Sequence, residues 1–328
     1  MLKLHGECWV ITDKAAGNQR QALALADYLQ MPARHLVLQP RAPWSWLSPR
    51  LVAGARQSLP ADQKALFVPP WPSVAIGCGR AAALFTRLLR PLSAGQCHTV
   101  QILDPRIDPA HWDCVIAPRH DRLAGANVLT PLGSLNEVDD DWLADGRESC
   151  PAFAELPQPR VGVLIGGPRK GITLDIAYVR ELATRLLERQ RREGGSLLVL
   201  ASRRSPPDAL QWLREALQGV PGLVWTGRDD GQNPYPGVLG WADRLVVTPD
   251  SVNMLSEACA TGCPVHTFVN APLPAKIARF HHALREARLL HDLDAIMPAR
   301  QAPLRETAQL ADELRQRIAL WQNAPATA

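Results

Sequence analysis

The amino-acid sequence predicts an α/β protein made of two doubly wound domains, each built on a parallel sheet. The chain has 328 residues, and at about 100 to 200 residues per domain this length suits two domains. Short β-branched or apolar runs alternate with Ala- and Leu-rich helical stretches, as in βαβ units. An acidic, proline-spaced segment interrupts this alternation near residue 150, and the alternation then restarts. We therefore predict an N-terminal domain over 1–155 and a C-terminal domain over 156–328.

The predicted strands are considered in chain order, because loops at the carboxyl ends of parallel strands face the ligand in a doubly wound sheet. The strands of the first half are CWVIT (8–12), HLVL (35–38), SVAIG (73–77), HTVQILD (98–104), DCVIAP (113–118) and NVLT (127–130). Those of the second half are VGVLIGG (161–167), SLLVLAS (196–202), LVWTG (223–227), RLVVTPD (244–250) and PVHTF (264–268). The predicted helices of the second half are 174–192, 206–218 and 252–261, and an amphipathic helix over 306–321 needs a surface to lie on.

Composition and charge exclude several classes of protein. Hydrophobic residues make up 46% of the chain and charged residues 21%, so a disordered chain, a fibrous repeat and a disulfide miniprotein are excluded. The net charge of +4 is too small and too dispersed to indicate nucleic-acid binding. The start of the chain turns polar by residue 12, and no later stretch approaches 18 uncharged apolar residues, which predicts a cytoplasmic protein.

The cysteines predict neither a disulfide framework nor a metal site. There are seven of them, without a CxxC pair, which is typical of reduced, buried thiols. Cys259, Cys263 and His266 are close in sequence but span a Gly-Cys-Pro break. We interpret these three residues as core packing and expect no bound metal.

The strongest local signal is a strand that runs into a helix over residues 246–258. A helix start offers free backbone N–H groups and the positive end of the helix dipole, which attract phosphate. Side-chain donors there and a carboxylate one turn deeper could bind phosphates and a ribose diol, respectively. The candidate residues are Asp250, Ser251, Asn253, Met254 and Glu257. The alternative is that Asp250 and Ser251 only cap the helix and that Glu257 is solvated.

Two further strand ends of the second half combine glycine or serine with positive charge. Glycines after a strand let the backbone approach a ligand, and arginine or lysine can neutralise phosphate. The candidate residues are Gly166, Gly167, Arg169, Lys170, Ser202 and Arg203. Arg203 is followed by Arg204; we interpret one of these two arginines as a solvated charge and assign a ligand role to the other.

A loop over residues 227–235 of the second half holds an amide and an aromatic ring. Asn233 and Tyr235 are the residue types that could hydrogen-bond and stack on a planar base. The alternative interpretation of this loop is an ordinary turn.

The first half carries candidate residues for proton transfer and acceptor binding. Asp13 follows the first strand and Asp104 follows the fourth, so both carboxylates should point toward a cleft. Gly79 belongs to a run that mimics the GxGxxA dinucleotide turn, but no acidic residue ends the next strand at the required distance, which disfavours a nicotinamide site. The acceptor-side candidates are Lys14, Gly17, Asn18, Gln19, Gly79 and Arg80. Asn18 could equally cap the following helix.

Tryptophan and proline crowd the segments 40–50 and 67–72. Trp44, Trp46 and Leu47 lie between arginines, a combination found at membrane interfaces. The alternative is that these rings cover the core of the domain.

Several ordered motifs together resemble a known family. They are TDKAAGNQ, GCGRAAAL, QILDPR, VIAPRHD, VLIGGPRKG, SRRSPP, NPYPGVLGWAD, VVTPDSVNMLSEACATGCPVHTF and KIARFHHAL, spread over nearly the whole chain. The sequence resembles the bacterial branch of the mitochondrial-fission "elongated mitochondria" family, which is in turn similar to GT-B glycosyltransferases. The resemblance implies two Rossmann-like domains that face each other across a cleft, with the C-terminal helix crossing back to the first domain.

This resemblance also implies a function. A GT-B enzyme holds a nucleotide-sugar donor in its C-terminal domain and an acceptor in its N-terminal domain. We therefore expect metal-independent transfer of a sugar from a nucleotide diphosphate to a cell-envelope acceptor, with Asp13 as general base and no cofactor. The alternatives are a non-catalytic adaptor that binds protein partners and a nucleotide-sugar epimerase.

Overall fold

The computed structural model describes residues 3–202, 204–296 and 300–323. The chain forms two compact units, which differ in their continuity along the sequence. Unit 1 takes the chain up to Glu137 and again from Glu306 onward, and unit 2 comprises Val138–Arg305. Within the described ranges, no helix is long and apolar enough to cross a membrane.

Unit 1 is built on a six-stranded parallel sheet with the strand order β2-β1-β3-β4-β5-β6. The strands are β1 (Cys8–Thr12), β2 (Ala33–Val37), β3 (Val74–Cys78), β4 (His98–Ile102), β5 (Cys114–Ile116) and β6 (Val128–Leu129). The helices are α1 (Ala16–Leu29), α2 (Trp44–Leu47), α3 (Ala61–Lys64), α4 (Arg80–Leu92) and, from the end of the chain, α11 (Thr307–Gln322).

Two hydrophobic layers cover the two faces of this sheet. Every residue of β1, β3 and β4 is buried, as expected for central strands covered on both faces. Alternate β1 residues divide between the layers: Val10 packs with α1 and α11, whereas Ile11 packs with α4. The packing of Leu314 and Ile318 in the first layer confirms that the C-terminal helix crosses back to the first domain.

Unit 2 is built on a second six-stranded parallel sheet with the order β12-β11-β10-β7-β8-β9. The strands are β7 (Arg160–Ile165), β8 (Ser196–Ala201), β9 (Gly222–Trp225), β10 (Arg244–Val247), β11 (Val265–Thr267) and β12 (His291–Asp292). The helices are α5 (Asp140–Ser149), α6 (Ile176–Glu193), α7 (Pro207–Ala216), α8 (Tyr235–Trp241), α9 (Val252–Ala260) and α10 (Ala275–Glu286). Both sheets confirm the predicted α/β class, and the order in unit 2 is that of a Rossmann fold.

The chain enters unit 2 at Val138, earlier than the predicted change of domain after residue 155. The reason is α5, which lies in the acidic segment interpreted as a linker and packs closely on α8. A Cβ atom on Gly146 would lie 2.4 Å from the carbonyl oxygen of Pro236, and one on Gly240 would lie 2.7 Å from that of Leu143. Glycines thus let the two helices pack closely, and α5 belongs to unit 2.

Candidate functional site

The candidate donor site lies at the carboxyl ends of β7 and β10, which are neighbours in the unit 2 sheet. The chain runs from β7 through β8 to β9 on one side and then returns to place β10 on the other side of β7. This reversal is the topological switch point, where open α/β sheets bind ligands. Gly166 and Gly167 follow β7, and the loop from Thr248 to Asp250 follows β10, so the two strongest sequence candidates meet here.

Protein atoms occupy the space next to both glycines. A Cβ atom on Gly166 would lie 2.1 Å from a carboxylate oxygen of Asp250, and one on Gly167 would lie 2.4 Å from the Cβ of Arg204. The backbone N–H of Gly166 donates to Thr248 Oγ1 at 2.8 Å, and that of Gly167 donates to Asp250 Oδ2 at 3.3 Å. The glycines are needed because the loops of three strands pack against one another at this point.

Asp250 is the centre of this packing. Its side chain is 0% exposed; it accepts hydrogen bonds from Thr248 Oγ1 at 2.7 Å and pairs with Arg204 Nη2 at 3.1 Å. Burial raises the pKa of Asp250, although the hydrogen bonds and Arg204 oppose the shift. Asp250 therefore holds the loops in place. A ligand can reach only the residues that surround Asp250, because Asp250 itself is not exposed to solvent.

The predicted cations of this site differ in what they contact. Arg169 donates from Nη1 to the backbone carbonyl of Asp250 at 2.8 Å, and Lys170 is exposed. Ser202 Oγ lies 3.3 Å from Ser205 Oγ and accepts from the backbone N–H of Arg204 at 3.2 Å. Arg203 lies outside the described residues.

Arg204, the second arginine of the SRRSPP motif, adds positive charge beside Asp250. Sequence reasoning missed His281 on α10, a buried residue whose Nε2 lies 3.0 Å from the carbonyl oxygen of Pro249. A carbonyl can only accept, so His281 Nε2 carries the proton. Burial lowers the pKa of His281 to about 4, and the neutral ring supports the loop before Asp250. The available signal was the KIARFHHAL motif.

The start of α9 presents one helix cap and several half-buried side chains. Ser251 is the N-cap residue, and its Oγ accepts from the backbone N–H of Met254 at 3.3 Å. This is the capping role that the sequence left open as an alternative. Asn253 and Met254 are half-buried in the first turn. The first turn therefore still offers backbone N–H groups at the positive end of a nine-residue helix.

Glu257 is buried on α9, with only 5% of its surface exposed. The alternative interpretation, in which Glu257 is solvated, is therefore wrong. The hydroxyl group of Tyr235 donates a hydrogen bond to Glu257 Oε2, which brings together two residues that the sequence assigned to ribose and base. Asn233 Oδ1 accepts from the backbone N–H of Tyr235 at 3.1 Å. Asn233 thereby fixes the start of α8, a helix that the sequence had not predicted.

Unit 1 also has a switch point, between the carboxyl ends of β1 and β3. Asp13 follows β1 and is half-buried. Asn18 Nδ2 donates to both carboxylate oxygens of Asp13, at 3.1 Å and 3.0 Å, and the backbone N–H of Ala15 donates to Oδ1 at 2.9 Å. Gly79, with a φ of +87°, lies against this pair: a Cβ there would be 2.4 Å from Asn18 Nδ2. The structure therefore brings Asp13, Asn18 and Gly79 together.

The remaining acceptor-side candidates and the catalytic candidate Asp104 have separate roles. Gln19 Nε2 donates to the backbone carbonyl of Asp13 at 2.9 Å, whereas Lys14 is exposed and Gly17 is half-buried in the first turn of α1. Asp104 Oδ1 accepts from the backbone N–H of Arg106 at 2.7 Å, which makes a local turn after β4. Arg80 Nη2 donates to the carbonyl of Ser45 at 2.8 Å and thus binds the loop that carries α2.

The tryptophans of α2 differ from each other. Trp44 is half-buried, packs on the second hydrophobic layer of unit 1 and donates from Nε1 to the carbonyl of Ala53 at 2.8 Å. Trp46 is 74% exposed and Leu47 is 46% exposed. The core interpretation therefore describes Trp44, and the exposed apolar surface belongs to Trp46 and Leu47.

Comparison with solved structures finds the same fold in proteins that include a UDP-GlcNAc 2-epimerase and a protein bound to UDP. Acinetobacter baumannii MurG matches with a TM-score of 0.50 at 12% identity, covering 99% of this chain and 97% of that one. A UDP-GlcNAc 2-epimerase of Neisseria meningitidis bound to UDP-GlcNAc matches at 0.53 and 10% identity, over 95% and 100%. Os79 of O. sativa in complex with UDP matches at 0.54 and 12% identity, over 96% and 94%. Two Rossmann-like domains of the GT-B type are thereby confirmed.

Sequence comparison identifies the family. The family model described as mitochondrial fission ELM1 matches residues 16–318. The mitochondrial fission protein ELM1 of Arabidopsis thaliana is 30% identical over 280 residues, which are 76% of this chain but only 64% of the plant protein. A protein of Rickettsia prowazekii is 24% identical over 298 residues, with 79% and 82% covered. The chain therefore belongs to the mitochondrial fission ELM1 family.

Proposed function

We propose that this protein is a GT-B glycosyltransferase that transfers a sugar from a nucleoside diphosphate sugar to a hydroxyl group of a cell-envelope acceptor. Unit 2 binds the donor and unit 1 binds the acceptor. The observation that carries the proposal is the unit 2 switch point, where the loop after β7 and the start of α9 meet through Gly166, Gly167 and Asp250. Solved proteins of the same fold bind UDP or UDP-GlcNAc, which supports this choice of donor.

The charges at this switch point favour a diphosphate. Asp250 and Glu257 are the two buried carboxylates, and Arg204 and Arg169 contact the carboxylate and the backbone carbonyl of Asp250, respectively. Lys170 adds an exposed positive charge, and α9 adds its N–H groups and dipole. Positive charge thus exceeds negative charge where a leaving diphosphate would form, so we propose that the reaction needs neither a metal ion nor a cofactor.

On the acceptor side, Asp13 is the proposed general base. A base must be ionised and must present an oxygen atom to the substrate hydroxyl. Asn18 and the backbone N–H of Ala15 donate to its carboxylate, which fixes its orientation. Gly79 has no side chain, which lets the amide of Asn18 lie against it and hold Asp13. Asp104 is the second candidate for this role.

We further propose that the protein works in the cytoplasm at the inner face of the membrane, where a lipid-linked acceptor would be found. Trp46 and Leu47 expose a large apolar surface, and the adjoining residues 39–61 include three arginines and no acidic residue. Amphipathic tryptophan with flanking arginine suits an anionic bilayer surface.

Two other functions have specific support. The fold is shared with UDP-GlcNAc 2-epimerases, which is consistent with an epimerase that acts on a sugar nucleotide. The family is described by a role in mitochondrial fission, which is consistent with a non-catalytic adaptor. Fold alone does not select among these functions, but their products differ.

A product assay tests the proposal. The purified protein is incubated with uridine, cytidine and guanosine diphosphate sugars, with and without a lipid extract of bacterial envelope. Transfer predicts labelled sugar in the lipid phase and an equal amount of free nucleoside diphosphate, both dependent on the extract. A changed sugar nucleotide without transfer would establish the epimerase instead. If the donor sugars stay unchanged in every mixture, the result would favour the non-catalytic adaptor.

A further inference from the structure

Unit 1 contains an open groove of about 510 Å³ away from its switch point. It is lined by the second half of α4 and by the segments around Val52 and His111. The lining residues are Val52, Arg87, Arg90, Pro91, Gly95 and His111. This volume suits a small ligand or a headgroup, and three of the six side chains can carry positive charge.

Arg87 is half-buried in this groove and uses only part of its hydrogen-bonding capacity. Its Nη1 donates to the carbonyl oxygens of Pro49 at 2.8 Å and Arg50 at 3.1 Å. Its Nε and Nη2 groups have no hydrogen-bond partner among the residues that the structure describes. These bonds hold the guanidinium in one orientation, and the remaining N–H groups can bind two oxygens of one anion.

The other charges of the groove are unequal. Arg90 is neutralised, because its Nη2 pairs with Asp113 at 3.0 Å while its Nη1 donates to the carbonyl of Ala110 at 2.7 Å. The ring nitrogens of His111 have no hydrogen bond to any described residue. Burial, followed by the positive charge of Arg87, lowers the pKa of His111, while Asp108 opposes the shift. The groove therefore offers one uncompensated guanidinium and one imidazole that a bound anion would help to protonate.

We propose that this groove is a phosphate-binding site, in which the Arg87 guanidinium binds two phosphate oxygens and His111 donates to a third. A phosphate group carries one to two negative charges, which match one arginine and a protonated histidine. The proposal does not depend on the glycosyltransferase function, because none of these residues belongs to either switch point.

The phosphate could belong to a soluble compound or to a lipid headgroup, and the neighbouring chain connects the groove to the exposed apolar surface. Pro49 and Arg50, whose carbonyls Arg87 binds, follow directly after Leu47 and Ser48. Arg80 lies two turns before Arg87 on the same face of α4. It donates a hydrogen bond to the carbonyl oxygen of Ser45. Vesicle binding and soluble phosphate binding must therefore be measured separately.

The test uses the full chain and two phosphate sources. In solution, the pKa of His111 is followed by its ring proton resonance, identified with His111→Asn, at increasing inorganic phosphate. The pKa should rise with saturation, and Arg87→Gln should weaken the response at least about tenfold, whereas Arg34→Gln, an exposed arginine of unit 1, should not. Arg87→Lys keeps the charge without the two-pronged geometry and should give intermediate binding. This probe reports the groove alone, even if phosphate also binds unit 2.

The second arm measures flotation with phosphatidylglycerol vesicles and with phosphatidylcholine vesicles. A His111 response to phosphate, together with flotation on the anionic vesicles that Arg87→Gln abolishes, assigns the phosphate to a lipid. A His111 response to phosphate without such flotation assigns it to a soluble compound. If His111 does not respond, or responds equally in wild type and Arg87→Gln, the site does not exist. Arg87→Gln should leave UDP binding unchanged, so failure of the donor site would be recognised separately.

Discussion

The carboxyl edges of the two sheets occupy equivalent places in their folds but differ in chemistry. At the switch point of unit 2, the carboxylate of Asp250 is fully buried and is surrounded by arginines and glycine N–H groups. At the switch point of unit 1, the carboxylate of Asp13 is half-buried and is held by an amide and a backbone N–H. Topology selects the location of each site, and the residue types decide that one suits an anion and the other a proton transfer.

Substitution of Asp13 should give the largest effect. Asp13→Asn keeps an oxygen that can accept from Ala15 and Asn18, but it removes the base, so turnover should fall by about 10² to 10⁴-fold. Nucleotide binding by unit 2 should be nearly unchanged. The measurement is nucleoside diphosphate release in the presence of the envelope extract, with Asp104→Asn as the matched control. Loss of turnover in the control alone would transfer the role of base to Asp104.

Glu257→Gln should weaken nucleotide binding by roughly 1 to 3 kcal/mol, because a ribose diol loses a charged acceptor. The variant should fold, since a glutamine oxygen can still accept the hydrogen bond from Tyr235. Calorimetric titration with UDP measures the effect. Glu286→Gln, an exposed position on α10, is the control. Equal affinities of the two variants would show that Glu257 serves only to hold Tyr235.

Gly166→Ala should reduce the free energy of unfolding by about 1 to 3 kcal/mol. The new methyl group would lie 2.1 Å from a carboxylate oxygen of Asp250, which is fully buried, so the packed loops would have to shift. Gly227→Ala is the matched control, because a Cβ there meets nothing within 4 Å. Urea unfolding of both variants checks the difference. A tolerated Gly166→Ala would mean that the loops do not pack as described.

The smallest expected effect is a pH dependence of opposite sign at two aspartates. Burial raises the pKa of Asp250. The wild-type protein therefore loses stability as the pH rises from the ordinary aspartate pKa toward the raised one. Because asparagine does not ionise, Asp250→Asn should gain stability relative to wild type from pH 4 to pH 7. Burial also acts on Asp230, but hydrogen bonds from Thr226 and Arg214 lower its pKa. Wild type therefore gains stability as the pH rises toward the ordinary aspartate pKa near 4, and Asp230→Asn should lose stability relative to wild type from about pH 3 to pH 5. Urea unfolding across the two intervals measures the two trends, and trends of the same sign would contradict the assignment.

The sequence predicted the strands well because apolar β-branched runs suffice to identify buried parallel strands. CWVIT coincides with β1, and α9 begins one residue after its predicted cap, Ser251. The predicted change of domain lies later than the observed one, because the acidic segment did not indicate the helix α5. The packing of α5 on α8 depends on glycines, which carry no apolar signal in the sequence.

The candidate site was predicted in its parts but not in its connections. Periodicity and motifs placed Asp250, Tyr235 and Glu257 near strand ends or on a helix face. They could not reveal that Asp250 is buried against Arg204, or that Tyr235 donates to Glu257. Such contacts join residues 22 to 46 positions apart, and only tertiary packing determines them.

Titration of the wild-type protein with UDP in EDTA, compared with magnesium, tests the central claim most directly. The arginines and the α9 dipole at the unit 2 switch point should supply the counter-charge for the diphosphate. We expect saturable binding with the same affinity in both buffers, and weaker binding by Glu257→Gln. Absence of binding, or binding only with magnesium, would contradict the assignment of unit 2 as a metal-independent nucleotide site.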